Sequence, residues 1–396
     1  MCIAMNEPWS ESAVTGSCYN SYLEINLTAL RENYRSVKKS LGEVSIIPVL
    51  KGDAYGLGAV TVARELLEED NIKLFAVSQV REALELRAAG ITTPIAVLGA
   101  VPDGQIPAAV AQNLQLAVFR PEAAELINQA AERFGKTIGI HLKIETGLNR
   151  LGAKPGEELA ALLEFLRNLE HVRLAGVFTH FIDAEFQNSE RALKQLELYR
   201  RAVEQIESAG FVIPLKHVCN SGASEWLREG FYDAVRLGRR LYMDNRDTPM
   251  KKGTDGAVEE IASWRATVVN VREVAPGETV GYDSVFTASR PAKIADICIG
   301  YGDGLCPELV AAKSEALING RKAPYIGICM DQSFLDVTGI DCQIGDEVTV
   351  FGYASDGGYI SSQALAGEIG QEGCYFTDLL RHSVERRYIR PTEEKK

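Results

Sequence analysis

The sequence predicts an α/β chain: a (β/α)8 TIM-type barrel followed by a mainly β second domain. Eight β-rich runs alternate with helical patterns over residues 27–250, a length that suits an eight-stranded parallel barrel. After residue 250 the helical cadence gives way to strand-like runs separated by Gly, Pro and Asp turns. No G-x-G-x-x-G follows the first of the eight runs, which counts against the alternative of a doubly wound dinucleotide-binding sheet.

The elements follow in order. Leu27–Leu41 has helical spacing, with Asn26 placed to cap it. The eight strands are read at Val44–Lys51, Lys73–Ser78, Thr93–Gly99, Leu114–Phe119, Gly139–Glu145, Leu174–His180, Leu215–Asn220 and Asp233–Gly238. Between them, Gly58–Glu69, Val80–Ala89, Pro121–Phe134 and Ser189–Ala209 repeat apolar residues every three or four positions. Gly253–Gly256 marks a flexible turn near the domain boundary. The second domain, 251–396, reads as strands at Trp264–Val271, Ala292–Ile299, Tyr325–Cys329, Phe334–Val337 and Glu347–Phe351, with helices at Ser361–Ile369 and Tyr375–Ser383. Residues 1–26 are expected to pair with it, and Glu393–Lys396 form a charged tail.

The 396 residues, 46% hydrophobic and 24% charged, are a globular composition. The 42 Lys and Arg against 54 Asp and Glu leave a net charge of −12, which gives no electrostatic support to nucleic-acid or anionic-membrane binding. There is no apolar run long enough to span a bilayer, and no basic stretch followed by an apolar one at the start. The eight cysteines are scattered without a C-x-x-C pair, neither a disulfide framework nor a zinc cluster, so a reducing cytoplasm is the expected home and no metal is expected.

A barrel's chemistry sits at the C-terminal ends of its strands, so those ends are the place to look. Lys51 ends the first strand, Lys143 lies on the fifth ahead of Arg150, His180 ends the sixth, Asn220-Ser221-Gly222 the seventh and Arg236-Leu237-Gly238 the eighth. A lysine leaving an apolar strand is desolvated and suits a Schiff base, although a strand-end lysine can also merely snorkel to solvent. Asn220-Ser221-Gly222 with the Gly238 backbone offers a phosphate cradle or an ordinary turn. Arg236 must find a partner, in a structural ion pair or a ligand, because its guanidinium keeps its charge. His180 alone reads equally as a satisfied core histidine.

Taken together the segments resemble the alanine racemases, pyridoxal-phosphate enzymes of fold type III, from about Ser21 to Arg390. The resemblance is carried by Val49-Leu50-Lys51-Gly52-Asp53-Ala54-Tyr55-Gly56, Glu145-Thr146-Gly147-Leu148-Asn149-Arg150-Leu151-Gly152, Thr179-His180-Phe181, His217-Val218-Cys219-Asn220-Ser221, Val280-Gly281-Tyr282, Gly300-Tyr301-Gly302-Asp303-Gly304 and Cys329-Met330-Asp331-Gln332. It implies a homodimer with shared sites that acts on a small amino acid through pyridoxal 5'-phosphate. Lys51 would hold the cofactor and act as one base; Tyr282 of the partner subunit would be the other. Arg236, supported by His180, would donate to the ring nitrogen and keep it neutral, which makes the cofactor a weaker electron sink. Tyr55, Asn220, Ser221, Gly238, Tyr375 and the Arg239 backbone match cofactor-binding positions. Arg150 and Met330 match the groups that hold the substrate carboxylate, with Asp331 on the same partner-contributed loop. Lys143 matches a lysine that the family often carries carboxylated, and Glu185 and Tyr301 match the substrate entrance.

The chain departs from the family pattern at Arg239-Arg240, at Met243 and at Leu57, where small or apolar residues, glycine and histidine are usual. These leave strict alanine preference open against serine or a broader range. A fold-type-III decarboxylase is disfavoured by Arg150, since gripping the carboxylate keeps it from leaving. A non-catalytic cofactor carrier is disfavoured by Tyr282 and the second domain.

Overall fold

The structure, a computed structural model, describes residues 20–70, 72–243, 256–372 and 374–391. Among the described residues the chain divides into two compact units: Ile25–Ala262 with Ser361–Asp378 and 388–391, and Ser263–Ile360 with Leu379–Arg387 and 20–24.

Strand β1 (Ser21–Asn26) runs into the helix Leu27–Leu41, where the Asn26 side chain accepts the Ala29 N–H at 3.0 Å as its cap. Eight parallel strands follow: β2 (Ser45–Pro48), β3 (Phe75–Val77), β4 (Ile95–Val97), β5 (Gln115–Val118), β6 (Ile138–Lys143), β7 (Val172–Phe178), β8 (Lys216–His217) and β9 (Ala234–Leu237). Strands β3 to β8 form one sheet and β2 pairs with β9. Leu50 N–H to Ala76 O (2.8 Å) and Arg236 N–H to Cys219 O (2.9 Å) join the two sets and close the barrel. All six residues of β6 are buried, the pattern of a parallel strand covered on both faces. Ile47, Leu74, Ala76, Ala96 and Ala234 pack together inside. The helices Val80–Ala88, Pro121–Arg133 and Glu190–Ser208 end within a residue of the segments read from periodicity, whereas Ala59–Leu66 stops short of Glu69.

The helices Ser362–Glu368 and Tyr375–Leu379 belong with the barrel rather than with the β-rich segment in which the sequence places them. Two glycines explain this. A Cβ on Gly56 would fall 1.9 Å from Thr377 O, and one on Gly58 1.9 Å from Tyr388 Oη. The Tyr388 hydroxyl instead donates to Leu57 O at 3.0 Å. The returning chain thus docks where side chains are missing.

The second unit is built on β10 (Ala262–Val274). Strands β11 (Ala292–Ile297), β14 (Ser333–Asp336), β13 (Arg321–Ile328), β12 (Glu315–Ile318) and β15 (Glu347–Tyr353) continue from it in that spatial order, and β15 pairs back onto β10. Six antiparallel strands therefore close into a ring. Strand β1 lies beside β10, with β16 (Glu385–Ile389) on its outer side. Buried Arg265 ties this edge together through Glu24 (2.9 Å), Glu347 and Ser355 Oγ (2.8 Å). Positions 1–19, 253–255 and 393–396, on which the N-terminal segment, most of the boundary turn and the charged tail fall, lie outside the described residues. Gly256 itself donates to Ser36 O (3.1 Å) and Ser36 Oγ (3.0 Å).

Candidate active site

A cavity of about 510 Å³ opens at the C-terminal ends of the barrel strands. Lys51, Tyr55, Lys143, Arg150, His180, Glu185, Asn220, Ser221, Arg236, Gly238 and Arg239 all line it. Strand ends far apart in sequence are thus brought to one rim. Five cations among these residues face two carboxylates, Glu185 and Glu372, so the cavity suits an anion.

Lys51 stands where the chain leaves the barrel. The backbone from Gly52 to Gly56 runs left-handed, with Asp53, Ala54 and Tyr55 all near φ +55°. The turn carries Tyr55 back over the cavity, its ring centroid 5.4 Å from Lys51 Nζ. Lys51 is exposed in the single chain, so the burial expected from its apolar strand is not seen. Its position at the rim, beyond the last paired residues of β2, is the reason.

The wall between Tyr55 and β9 forms a niche. Ser221 Oγ accepts from the Gly238 and Arg240 N–H groups, both at 3.3 Å. A Cβ on Gly238 would lie 2.5 Å from Tyr55 Oη, so only glycine lets the phenol approach that backbone. Tyr375 opens the helix Tyr375–Leu379 directly after Cys374, which lines the cavity. The Arg239 side chain bridges Glu372 (2.9 Å) and Glu185 (3.3 Å) at the rim.

Arg236 is buried on β9 without a carboxylate partner among the described residues. Its NH1 donates to His217 O, and its NH2 to Thr179 O (2.8 Å) and Val218 O (3.1 Å). The NH2 also lies 3.3 Å from His180 Nδ1. A guanidinium cannot accept, so His180 Nδ1 must, which leaves its proton on Nε2. Burial, then Arg236, pushes the His180 pKa well below the ordinary histidine value, so this ring is neutral.

Lys143 is buried too, and neither hydrogen bond nor ion pair holds its amine among the described residues. Burial, then Arg150 and Arg236, pushes its pKa down to about 8. Arg150 follows the turn held by Glu145, whose carboxylate accepts the Gly147 and Arg150 N–H groups.

Sequence reasoning missed two buried residues that brace the rim. Glu82 accepts from the Gly52, Ser78 and Gln79 N–H groups, and Gln79-x-x-Glu82 at a helix start is the capping signal that could have found it. Gln195 donates to His180 O (3.0 Å) and Thr146 Oγ1 (3.1 Å) and accepts from Ile182 N–H. Nothing in its helical spacing distinguishes it.

The remaining expected site residues lie in the other unit. Tyr282 lies in the turn between the paired strands Thr279–Val280 and Phe286–Thr287 and is 81% exposed. Met330, Asp331 and Tyr301 are also exposed, on two adjoining loops: Tyr301 N–H donates to Cys329 O (2.9 Å) and Gly302 N–H to Met330 O (2.8 Å).

Residues 25–246 match the model of the alanine racemase N-terminal domain, and residues 261–388 that of the alanine racemase C-terminal domain. The chain belongs to the alanine racemase family. It is 34% identical to alanine racemase 2 of Caldanaerobacter subterraneus subsp. tengcongensis, over 88% of this chain and 89% of that relative. The solved alanine racemase of Clostridium difficile 630 superposes with a TM-score of 0.86 at 31% identity, covering 95% of this chain and 97% of that one. That of Bacillus anthracis, with bound L-Ala-P, gives 0.87 at 28% identity over 95% and 96%. Of the two arginines that depart from the alanine racemase pattern, only Arg239 lines the cavity. Arg240 is buried against Ser224, donating to its carbonyl and hydroxyl at 2.7 Å.

No helix among the described residues is long and apolar enough to cross a membrane.

Proposed function

We propose that this protein is a pyridoxal 5'-phosphate-dependent amino-acid racemase that interconverts L- and D-alanine as a cytoplasmic homodimer. The observation that carries the reading is the cavity itself: an amine, a donor-only buried guanidinium and a backbone-and-hydroxyl niche converge on one rim. The donor set fits the cofactor. Ser221 Oγ, the Gly238 and Arg239 backbone, Tyr55 and Tyr375 suit a phosphate, with Asn220 beside them. Arg236 suits a ring nitrogen that must stay unprotonated, and Lys51 a carbonyl carbon. When bound, pyridoxal 5'-phosphate supplies a ring that acidifies the α-C–H of an attached amino acid.

The chain's own residues do the rest. Lys51 Nζ takes or returns the α-proton on one face, and Tyr282 of the partner subunit does so on the other. Arg150, with the backbone of Met330 of the partner subunit, holds the substrate carboxylate, and Asp331 of the partner subunit shapes that loop. A gripped carboxylate stays in place, so the proton leaves rather than carbon dioxide. Carboxylation of Lys143 would turn a strained neighbouring cation into an anion that orients Arg150. By the resemblance to the family, Glu185 and Tyr301 are both assigned to the substrate entrance.

Incubation of the purified protein with pyridoxal phosphate and single L-amino acids, followed by chiral chromatography, tests this. Alanine should be the fastest substrate and reach equal amounts of both enantiomers. Faster turnover of serine or larger amino acids would make it a broader racemase.

A further inference from the structure

Behind Arg236 a line of hydrogen bonds runs into the barrel core. Arg236 NH1 lies 3.2 Å from His217 Nδ1, His217 Nε2 lies 2.9 Å from His141 Nδ1, and His141 Nε2 lies 2.7 Å from Gln115 Oε1. Both imidazoles are wholly buried and neither lines the cavity.

Only one proton arrangement satisfies the line. A guanidinium has no acceptor, so His217 Nδ1 must accept and the His217 proton sits on Nε2. That proton faces His141 Nδ1, which must accept in turn, leaving the His141 proton on Nε2 for the Gln115 carbonyl. Running the line the other way would set the His217 Nδ1–H against an arginine N–H. Protonating either ring would force the same opposition of two donors. Burial, then the charges of Arg236 and Arg173, drives the His141 pKa down to about 3, and burial, then the other imidazole and Arg236, drives that of His217 well down.

The barrel is shaped around these rings. A Cβ on Gly176 would fall 2.6 Å from His141 Nδ1, so that position must lack one. The Phe178 ring stacks on His217 at 5.2 Å and 6°.

We propose that His217, His141 and Gln115 are positioning residues for Arg236, forming a one-way donor chain that stabilises its cation without a counter-charge. Each neutral imidazole turns its lone pair toward Arg236 and its N–H away, so the dipoles align to favour the positive charge. A carboxylate would stabilise the cation as well, but would cancel the charge that the cavity presents. The importance of that charge for the cofactor rests on the function proposed above; the proton arrangement does not.

Protein labelled with ¹⁵N only in its histidines and loaded with pyridoxal phosphate decides the matter by two-bond ¹H–¹⁵N correlations from about pH 5.5 to about 9. Both rings should appear as Nε2–H tautomers that do not titrate. An Nδ1–H tautomer or an imidazolium at either position would overturn the proposal. Gln115→Leu removes the final acceptor and should weaken pyridoxal-phosphate affinity about three- to tenfold, the value of one buried neutral hydrogen bond. Gln115→Glu restores an acceptor for the His141 Nε2–H and should recover that affinity. Equal affinity of the folded Leu variant and the parent would count against positioning. A parent that binds no pyridoxal phosphate would instead overturn the proposed function, with the tautomers still deciding the donor chain.

Discussion

Glu82 accepts the Gly52 N–H at 2.7 Å, and this bond ties the turn after Lys51 to the head of the helix Val80–Ala88. The turn needs such a tether, because left-handed backbone at non-glycine residues costs roughly 1–2 kcal/mol each, and Asp53, Ala54 and Tyr55 all adopt it. A second tether is Asp53, whose Oδ1 accepts the Ala59 N–H at 2.7 Å. The other Glu82 oxygen collects the Ser78 and Gln79 N–H groups, each at 2.9 Å.

Glu82→Ala should therefore lower stability by about 2–3 kcal/mol, since charge-assisted bonds are lost and buried N–H groups are left without acceptors. Urea unfolding measures this. Glu82→Gln keeps one carbonyl acceptor and should cost less than half as much. An alanine variant as stable as the parent would show that the turn holds itself.

Borohydride reduction of cofactor-loaded protein should abolish its yellow colour and leave a pyridoxyl mass increment on the peptide containing Lys51. An increment on another lysine would move the site.

The barrel was legible in the sequence because each strand is an apolar run ending in a polar or glycine-rich rim, as at Lys51, His180 and Asn220-Ser221. Periodicity also located Leu27–Leu41 and its Asn26 cap. What was hidden depends on contacts between residues remote in sequence. The return of Tyr375–Leu379 to the barrel depends on absent side chains at Gly56 and Gly58, and strand-like texture nearby masked it. The departure at Arg239-Arg240 did not say which arginine reaches the cavity; successive residues of a helical turn point different ways, and only Arg239 lines it. Lys51 looked desolvated because its strand is apolar; the rim position overrode that pattern. His141 and His217 matter as a pair, and their spacing of 76 residues gives no sequence signal.

Lys143 makes stability depend on pH. Burial beside Arg150 and Arg236 lowers its pKa from 10.5 to about 8. Below about pH 8 the folded and unfolded chains both hold the proton, so the cost of burying the charge is fully present. From about pH 8 to 10.5 the unfolded chain binds more protons, and stability rises with pH. In carbon-dioxide-free buffer, urea unfolding of the parent compared with Lys143→Met should show this rise. Added bicarbonate should flatten it, because a carbamate is anionic and pairs with Arg150. A flat difference without carbon dioxide would contradict the assigned environment.

The two consecutive arginines should separate by function. Arg240→Ala removes the bonds to Ser224 and should lower the melting temperature while leaving the ranking of amino-acid substrates unchanged. Arg239→Ala frees Glu185 and Glu372 at the rim and should change KM across alanine, serine and larger amino acids with little loss of stability, as expected of largely solvent-facing carboxylates. The opposite assignment of effects would reverse the roles.

Exchange of the α-proton in deuterated water tests the central claim, that this cavity removes and returns that proton from both faces. The parent protein should convert L-alanine into equal amounts of the two enantiomers, both carrying deuterium at Cα, without release of carbon dioxide. Because the free enantiomers have equal energy, kcat/KM must be the same in both directions. Tyr282→Phe should barely racemise, yet still exchange the α-proton of D-alanine through Lys51 while exchange of L-alanine falls. Equal exchange of both enantiomers at the parent rate would contradict the two-base account, and alanine recovered unlabelled as the L-enantiomer from the parent protein would contradict the proposed activity itself.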